Sequence, residues 1–240
     1  MRDRLNQTCI GSWIATASPI VAEVMATEFD WLCVDAEHSP ATAADTVAIF
    51  QAIKATNPYC TPFVRLRGHD YSAASRYLDM GAVGIIAPLV NTRARAECLV
   101  NACRYPPQGD RGLGFCRANR YGNNITAESM AKANDRTIVV VQIEHKAALT
   151  NLEAILSVPG VDAAFVGPWD LAASLGRLGS FDFMDKILGD IVEACVEAGV
   201  APGIHVTNAS NEALGDAVRK HFRLIAHGLD TEFIKHGIRK

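Results

Sequence analysis

Short runs of β-branched and aliphatic residues alternate with longer amphipathic stretches from one end of this 240-residue chain to the other, and nothing else constrains its fold as strongly. Eight such runs occur, at residues 9–16, 31–37, 62–66, 83–90, 137–144, 162–168, 201–206 and 223–228. The stretches between them carry apolar residues at helical spacing, as in Ala41–Thr56 (Ala43, Val47, Phe50, Ile53) and Phe183–Ala198 (Ile187, Ile191, Cys195, Ala198). Strands with so few polar interruptions predict burial on both faces, hence a parallel sheet covered by helices. Eight strands without a break in composition favour a closed (β/α)8 TIM barrel over a doubly wound open sheet, which more often has about five or six. One domain over residues 1–240 follows.

Charge and cysteine usage remove several function classes. A net charge of −3 with no basic stripe argues against a nucleic-acid partner. No apolar run approaches the roughly 18 residues of a membrane span, and Met1-Arg-Asp-Arg carries charge where a secretory signal needs an apolar segment. The seven cysteines (Cys9, Cys33, Cys60, Cys98, Cys103, Cys116, Cys195) are scattered with no C-x-x-C pair, which indicates neither structural zinc nor a disulfide framework. They read as thiols of a reducing compartment, so a cytoplasmic protein is expected. The segment Tyr105–Asn124, with Arg111, Arg117 and Arg120, is too long for an ordinary connection and predicts a functional or locally structured loop.

Active sites of such barrels lie at the C-terminal ends of the strands, and four strand ends here are polar. Strand 2 ends Asp35-Ala-Glu37-His38-Ser39; alternation puts Asp35 and Glu37 on one side with His38 beyond them, either a base oriented by a carboxylate or a solvated pair ahead of a helix capped near Ser39. Arg65 interrupts strand 3, where a guanidinium suits an anionic ligand, an internal salt bridge to Glu37, or both. Strand 5 ends Gln142-Ile-Glu144, where Glu144 is a mouth carboxylate, a helix cap or a partner of Lys146. Strand 6 runs into Gly167-Pro168-Trp169-Asp170, where Asp170 is either a helix cap or a mouth carboxylate. If strands 5 and 6 are neighbours, Glu144 and Asp170 face each other and suit a hard divalent ion such as Mg2+ or Mn2+. Together the four positions predict metal-stabilised enolate formation from a small carbonyl compound bearing a carboxylate.

The segments Gly11-Ser-Trp with Ala22-Glu23, VDAEHSP (34–40), VRLRGHD (64–70), YLDMGAVGIIAPLV (77–90), RYPPQGDRG (104–112), VVVQIE (139–144) and VPGVDAAFVGPWDLAASLG (158–176) resemble the HpcH/HpaI aldolases, metal-dependent class II pyruvate aldolases. The resemblance implies a (β/α)8 barrel, a divalent metal cofactor (Mg2+, Mn2+ or Co2+), and a homohexamer built as a trimer of dimers that exchange the C-terminal helix. It implies reversible cleavage of a 4-hydroxy-2-oxo acid into pyruvate and an aldehyde. By the same resemblance Glu144 and Asp170 are metal ligands, Arg65 contacts the pyruvyl group, Asp35 and His38 handle the proton, and Gln142 and Trp169 line the substrate pocket. Asp79 matches an acid contributed by a neighbouring subunit. Two departures bear on the acceptor aldehyde: Trp169 stands where the family often has a small residue, and His227 where a smaller or more apolar one is expected. The alternatives are a C–C lyase of the citrate-lyase β-subunit or malyl-CoA type, a decarboxylase using the same enolate, and a non-catalytic barrel that binds a keto acid.

Overall fold

The computed structural model describes residues 2–68, 70–178 and 183–238. Eight parallel strands, β1 (Cys9–Ile14), β2 (Trp31–Asp35), β3 (Thr61–Arg65), β4 (Gly84–Ala87), β5 (Ile138–Ile143), β6 (Ala163–Val166), β7 (Ala201–Val206) and β8 (Leu224–Leu229), close into a barrel in chain order. The helices that pack outside include α1 (Pro19–Ala26), α2 (Ala43–Thr56), α3 (Ala73–Met80) and α4 (Arg93–Cys103). They continue with α5 (Ala127–Arg136), α6 (Lys146–Thr150), α7 (Leu152–Leu156), α8 (Pro168–Ser174), α9 (Met184–Glu197), α10 (Asn211–Arg219) and α11 (Asp230–Ile238). No helix among the described residues is long and apolar enough to cross a membrane.

All eight predicted strands form, but most stop short of the apolar runs that announced them. β2 ends at Asp35 rather than residue 37, β4 covers only Gly84–Ala87 of the run 83–90, and β6 ends at Val166 before Gly167-Pro168. The residues beyond each end turn outward as loops at the mouth. The helix α2 starts at Ala43 because Thr42 caps it in a reciprocal box with Asp45. Its buried face holds Thr46, Ile49, Phe50 and Ile53, so Ala43 and Val47 lie at the flank of the expected stripe. In α9 the buried residues are Met184, Leu188, Ile191 and Cys195, and Ala198 is the exposed C-cap.

The strand register arranges the barrel interior in layers. Crossing two strands along the register and advancing two residues leads from Trp13 to Arg65, then Gln142, then His205, and returns to Trp13. These four side chains form one layer, as expected when alternate strands each contribute one residue. Beneath it lie Cys33, Ile86, Phe165 and Ala226, all fully buried and apolar. Space for the bulkiest interior ring comes from Gly11, where a Cβ would stand 2.1 Å from the Trp31 indole and 2.4 Å from its carbonyl oxygen.

The two ends of the chain are tied together. The carboxylate of Asp230, 1% exposed at the start of α11, accepts from the Ala15 and Thr16 N–H groups and the Thr16 hydroxyl at 3.0, 2.8 and 2.6 Å. The long segment after α4 contains a 3-10 turn at Arg117–Asn119 and packs on α3, with Asn119 bonding Cys116, Gly122 and Gly114. Because the helices run back along the strands, this segment lies at the end of the barrel opposite the mouth. All seven cysteines are free thiols.

Candidate active site

Four of the residues singled out in the sequence converge at or just above the layer of Trp13, Arg65, Gln142 and His205. Arg65, at the last position of β3, is the cross-strand neighbour of Asp35 and grips it through two bonds, Nε to Oδ1 at 2.9 Å and Nη2 to Oδ2 at 2.6 Å. Its Nη1 has no partner among the described residues, so both N–H donors of that nitrogen remain for a ligand. The guanidinium also stacks over Trp13, its carbon 4.6 Å from the ring centroid. Burial works to raise the Asp35 pKa, yet the bonds and charge of Arg65, with the Glu37 and His38 N–H groups, overcome it and hold the carboxyl below its usual range.

The turn after β2 departs from strand alternation, and this changes which carboxylate meets the imidazole. Asp35 Oδ1 accepts from the backbone N–H groups of Glu37 and His38 at 3.0 and 3.2 Å and so shapes the turn. The His38 ring is largely exposed, and its Nε2 stands 3.7 Å from Glu37 Oε2, which is itself 3.5 Å from Arg65 Nε. Asp35 thus meets His38 through the backbone, and Glu37 is the carboxylate beside its side chain. Ser39 does not cap α2; its hydroxyl donates to the Asp35 carbonyl and accepts from Ala41 N–H.

Glu144 follows β5 and is 5% exposed. Its Oε1 accepts from Leu89 N–H at 2.7 Å, a donor aimed by the left-handed backbone of Leu89 at φ 52°. Burial raises its pKa to about 7, and the charges of Asp170 and Glu37 add to the rise. Lys146 plays no part in this; it is exposed. Asp170 is exposed in the first turn of α8, whose N-cap is Gly167, so Asp170 is not the cap and its carboxylate is open to the mouth side. Gly167 lets the chain pass close: a Cβ there would stand 3.1 Å from Glu144 Oε2 and 3.3 Å from Gln142 Nε2. Gln142 is 2% exposed and its Oε1 has no hydrogen-bond partner.

A match to the model of the HpcH/HpaI aldolase/citrate lyase family runs from residue 9 to residue 237. The chain belongs to that family. Among its relatives is a 4-hydroxy-2-oxovalerate aldolase of Novosphingobium aromaticivorans, 40% identical over 225 residues that cover 92% of this chain and 84% of that protein. A hydroxypyruvate/pyruvate aldolase of Deinococcus radiodurans is 37% identical over 96% of this chain and 83% of its own length. The crystal structure of an HpcH/HpaI aldolase/citrate lyase family protein from Burkholderia cenocepacia superposes with a TM-score of 0.91 and 32% identity, covering 99% of this chain and 95% of that one. The family membership and the (β/α)8 barrel therefore agree with the sequence reading.

Within this HpcH/HpaI aldolase barrel, Arg65, Gln142, Glu144 and Asp35 gather at one end, with His38, Asp170 and Trp169 on the loops around them. The Trp169 indole, half exposed, donates from Nε1 to Thr207 Oγ1 at 3.4 Å and so leans toward the loop after β7. Asp79 lies elsewhere: near the C-terminus of α3, it pairs with buried Arg111 at 2.7 Å, and Arg111 stacks on Tyr105. Arg111, Arg117 and Arg120 thus belong to the opposite end of their own barrel. His227 points outward from β8 against Phe233, edge to face at 5.9 Å. Sequence reasoning missed Trp13, His205 and Gly167; the signal available was an aromatic or polar residue at the inward parity of β1 and β7.

The acidic side chains at the mouth, Glu144 and the Asp170 whose charge acts on it, offer carboxylate oxygens, and the Gln142 amide oxygen in the layer below has no partner. Among the described residues no group of three or more His, Cys, Asp or Glu side chains is placed to hold a metal ion. Two carboxylates with room for ligand oxygens fit a hard divalent ion that takes its remaining ligands from water and substrate.

Proposed function

We propose that the protein is a divalent-metal-dependent aldolase that cleaves a 4-hydroxy-2-oxo acid reversibly into pyruvate or a related 2-oxo acid and an aldehyde. The observation that carries the reading is the meeting, over one barrel layer, of Glu144 beside Asp170 with an Arg65 whose Nη1 donors are free. Glu144 and Asp170 would hold Mg2+, Mn2+ or Co2+, which when bound supplies Lewis-acid stabilisation of enolate charge. Arg65, locked by Asp35, presents Nη1 to an oxygen of the oxo acid. His38, steadied by Glu37 and by the turn that Asp35 shapes, accepts the proton of the C4 hydroxyl. As that proton leaves, the C4 oxygen becomes the aldehyde carbonyl, the C3–C4 bond breaks, and its electron pair passes to the enolate. Protonation at C3 then yields the 2-oxo acid. Gln142 and Trp169 border the pocket.

We further infer a cytoplasmic homohexamer, a trimer of dimers with exchanged last helices. Supporting this, α1 exposes Ile20 and Val24 and α11 exposes Ile234 and Ile238, apolar surface that an assembly would cover. The distance of Asp79 from its own mouth agrees with a role in a neighbour's site. Sedimentation of the intact protein tests the state.

The decisive assay is coupled detection of 2-oxo acid released from 4-hydroxy-2-oxo acids after EDTA treatment and metal readdition. Glu144→Gln and Asp170→Asn are expected to abolish metal-stimulated release, and full activity of either variant in EDTA overturns the metal assignment. His38→Ala is expected to lose aldol cleavage while keeping residual oxaloacetate decarboxylation, which makes the enolate without a base.

A further inference from the structure

The turn that follows β4 is held in a conformation that its own residues do not favour. Leu89 has φ 52°, left-handed backbone that a side chain of this bulk rarely adopts and keeps only where its surroundings impose it. Here they impose it from both sides. Tyr71, buried on the loop after β3, donates its hydroxyl to the Pro88 carbonyl at 3.0 Å. Arg95, in the first turn of α4, reaches back and donates from Nη1 to the Leu89 carbonyl at 2.9 Å. Each of the two peptide planes that flank the Leu89 Cα is thus pinned by a side chain.

These contacts aim a single N–H. The Pro88 carbonyl and the Leu89 N–H belong to one peptide group, so the Tyr71 hydroxyl bonds one end of it while the other end donates to Glu144 Oε1 at 2.7 Å. Hydrogen bonds in series through one amide polarise it and strengthen one another. The series crosses three neighbouring strand ends, from the loop after β3, through the turn after β4, to the end of β5. Pro88 has no N–H, so Leu89 offers the first main-chain donor beyond β4. The Leu89 bond engages Oε1 of Glu144 and leaves Oε2 without a hydrogen-bond partner among the described residues. A buried tyrosine needs some acceptor for its hydroxyl, but that need does not account for a guanidinium bracing the same left-handed residue from the other side.

We propose that Tyr71 and Arg95 are positioning residues that, by clamping the Pro88–Leu89 turn, fix the orientation of the Glu144 carboxylate and so set its affinity for the divalent ion. Both act through Glu144. Their role rests on the aldolase reading, in which Glu144 is a metal ligand, and deepens it.

The test is Mn2+ binding to the intact protein after EDTA treatment, measured by calorimetry, with amide hydrogen exchange at Leu89 of the metal-free protein followed by mass spectrometry. Removing a group that orients a metal ligand typically weakens binding about 10–100-fold, so Tyr71→Phe and Arg95→Met are each expected to raise the Mn2+ Kd about tenfold and to speed Leu89 exchange several-fold. Arg95→Lys keeps a cationic donor and is expected to stay within about threefold of the wild type in both measurements. Exchange at Leu99 and Val100, buried inside α4, is expected to stay unchanged, which separates a local effect from general loosening. An unchanged Kd in Tyr71→Phe and Arg95→Met overturns the proposal, as does a weaker Kd with unchanged Leu89 exchange. A loss as large in Arg95→Lys as in Arg95→Met, or an equal rise in exchange at Leu99 and Val100, overturns it too. If the wild type binds no Mn2+, or Glu144→Gln binds it equally well, the metal reading fails and Leu89 exchange alone decides. Faster exchange in Tyr71→Phe and Arg95→Met then upholds the clamp on Glu144, and unchanged exchange overturns it.

Discussion

Replacing Glu144 with Gln is expected to stabilise the metal-free protein above neutral pH, although the same change destroys the proposed catalysis. The Glu144 carboxyl is buried, and its pKa stands at about 7 against 4.5 for the free group. A carboxyl whose folded pKa lies above its unfolded value contributes stability below the unfolded value and loses it as pH rises through the folded one. Stability is therefore lost between about pH 4.5 and 7, and the difference corresponds to about 3 kcal/mol above pH 8, at 1.36 kcal/mol per pKa unit. For a chain of this size that is roughly 6–12 °C in Tm. Gln keeps the acceptor for Leu89 N–H and never ionises, so its penalty is absent. Urea denaturation in EDTA from pH 4.5 to 8.5 should show the two proteins close at pH 4.5, the variant pulling ahead through pH 5–7, and a constant gap above pH 8. Adding Mn2+ should raise the wild type saturably and leave the variant behind. Parallel pH curves for the two would show that Glu144 is not held in a raised-pKa environment and would refute the reasoning.

Two further changes probe the scaffold and the anion grip. Gly11→Ala places a methyl 2.1 Å from the Trp31 ring and 2.4 Å from its backbone oxygen, so neither side-chain nor backbone adjustment relieves it cheaply; a loss of about 3 kcal/mol or failure to accumulate soluble protein is expected, measured by denaturation and expression yield. Asp35→Asn leaves the Arg65 charge buried without its counter-ion and should cost about 3 kcal/mol at pH 7. Because the Asp35 pKa is lowered on folding, that contribution is present above about pH 3.8 and vanishes as pH falls through the folded pKa, so the stabilities of wild type and variant should converge in acid denaturation.

The barrel was legible because alternation of apolar runs and helical stretches survives any error in their ends. Arg65, Gln142 and Glu144 were legible for a related reason: a polar residue at the inward parity of a buried strand is costly and therefore conspicuous. What the chain alone hid arises where regular periodicity stops. Alternation paired Asp35 with Glu37 on one side, but β2 ends at Asp35, and the turn hands Asp35 to Arg65 and leaves Glu37 beside the imidazole. The layer of Trp13 and His205 depends on the shear of the closed barrel, which follows from the register of all eight strands together. Trp13 therefore reads as core in its own strand, and its unsatisfied N–H is visible only once its neighbours are placed. Asp79 pairs within its own barrel with Arg111, which lies in a segment whose fold no periodicity announces.

The clasp between Asp230 and the turn after β1 sets when, during synthesis, this protein can begin to work. β1 is the first of the eight barrel strands to leave the ribosome, and one of its two edges waits for β8, more than two hundred residues later. Contacts at such separation form late, since the intervening chain must close first. Trp13 belongs to that first strand and to the floor of the site, so no partial chain holds the site together. A product cut before Asp230 loses the last helix and the carboxylate that holds the turn after β1, and folding and activity should disappear at the same truncation.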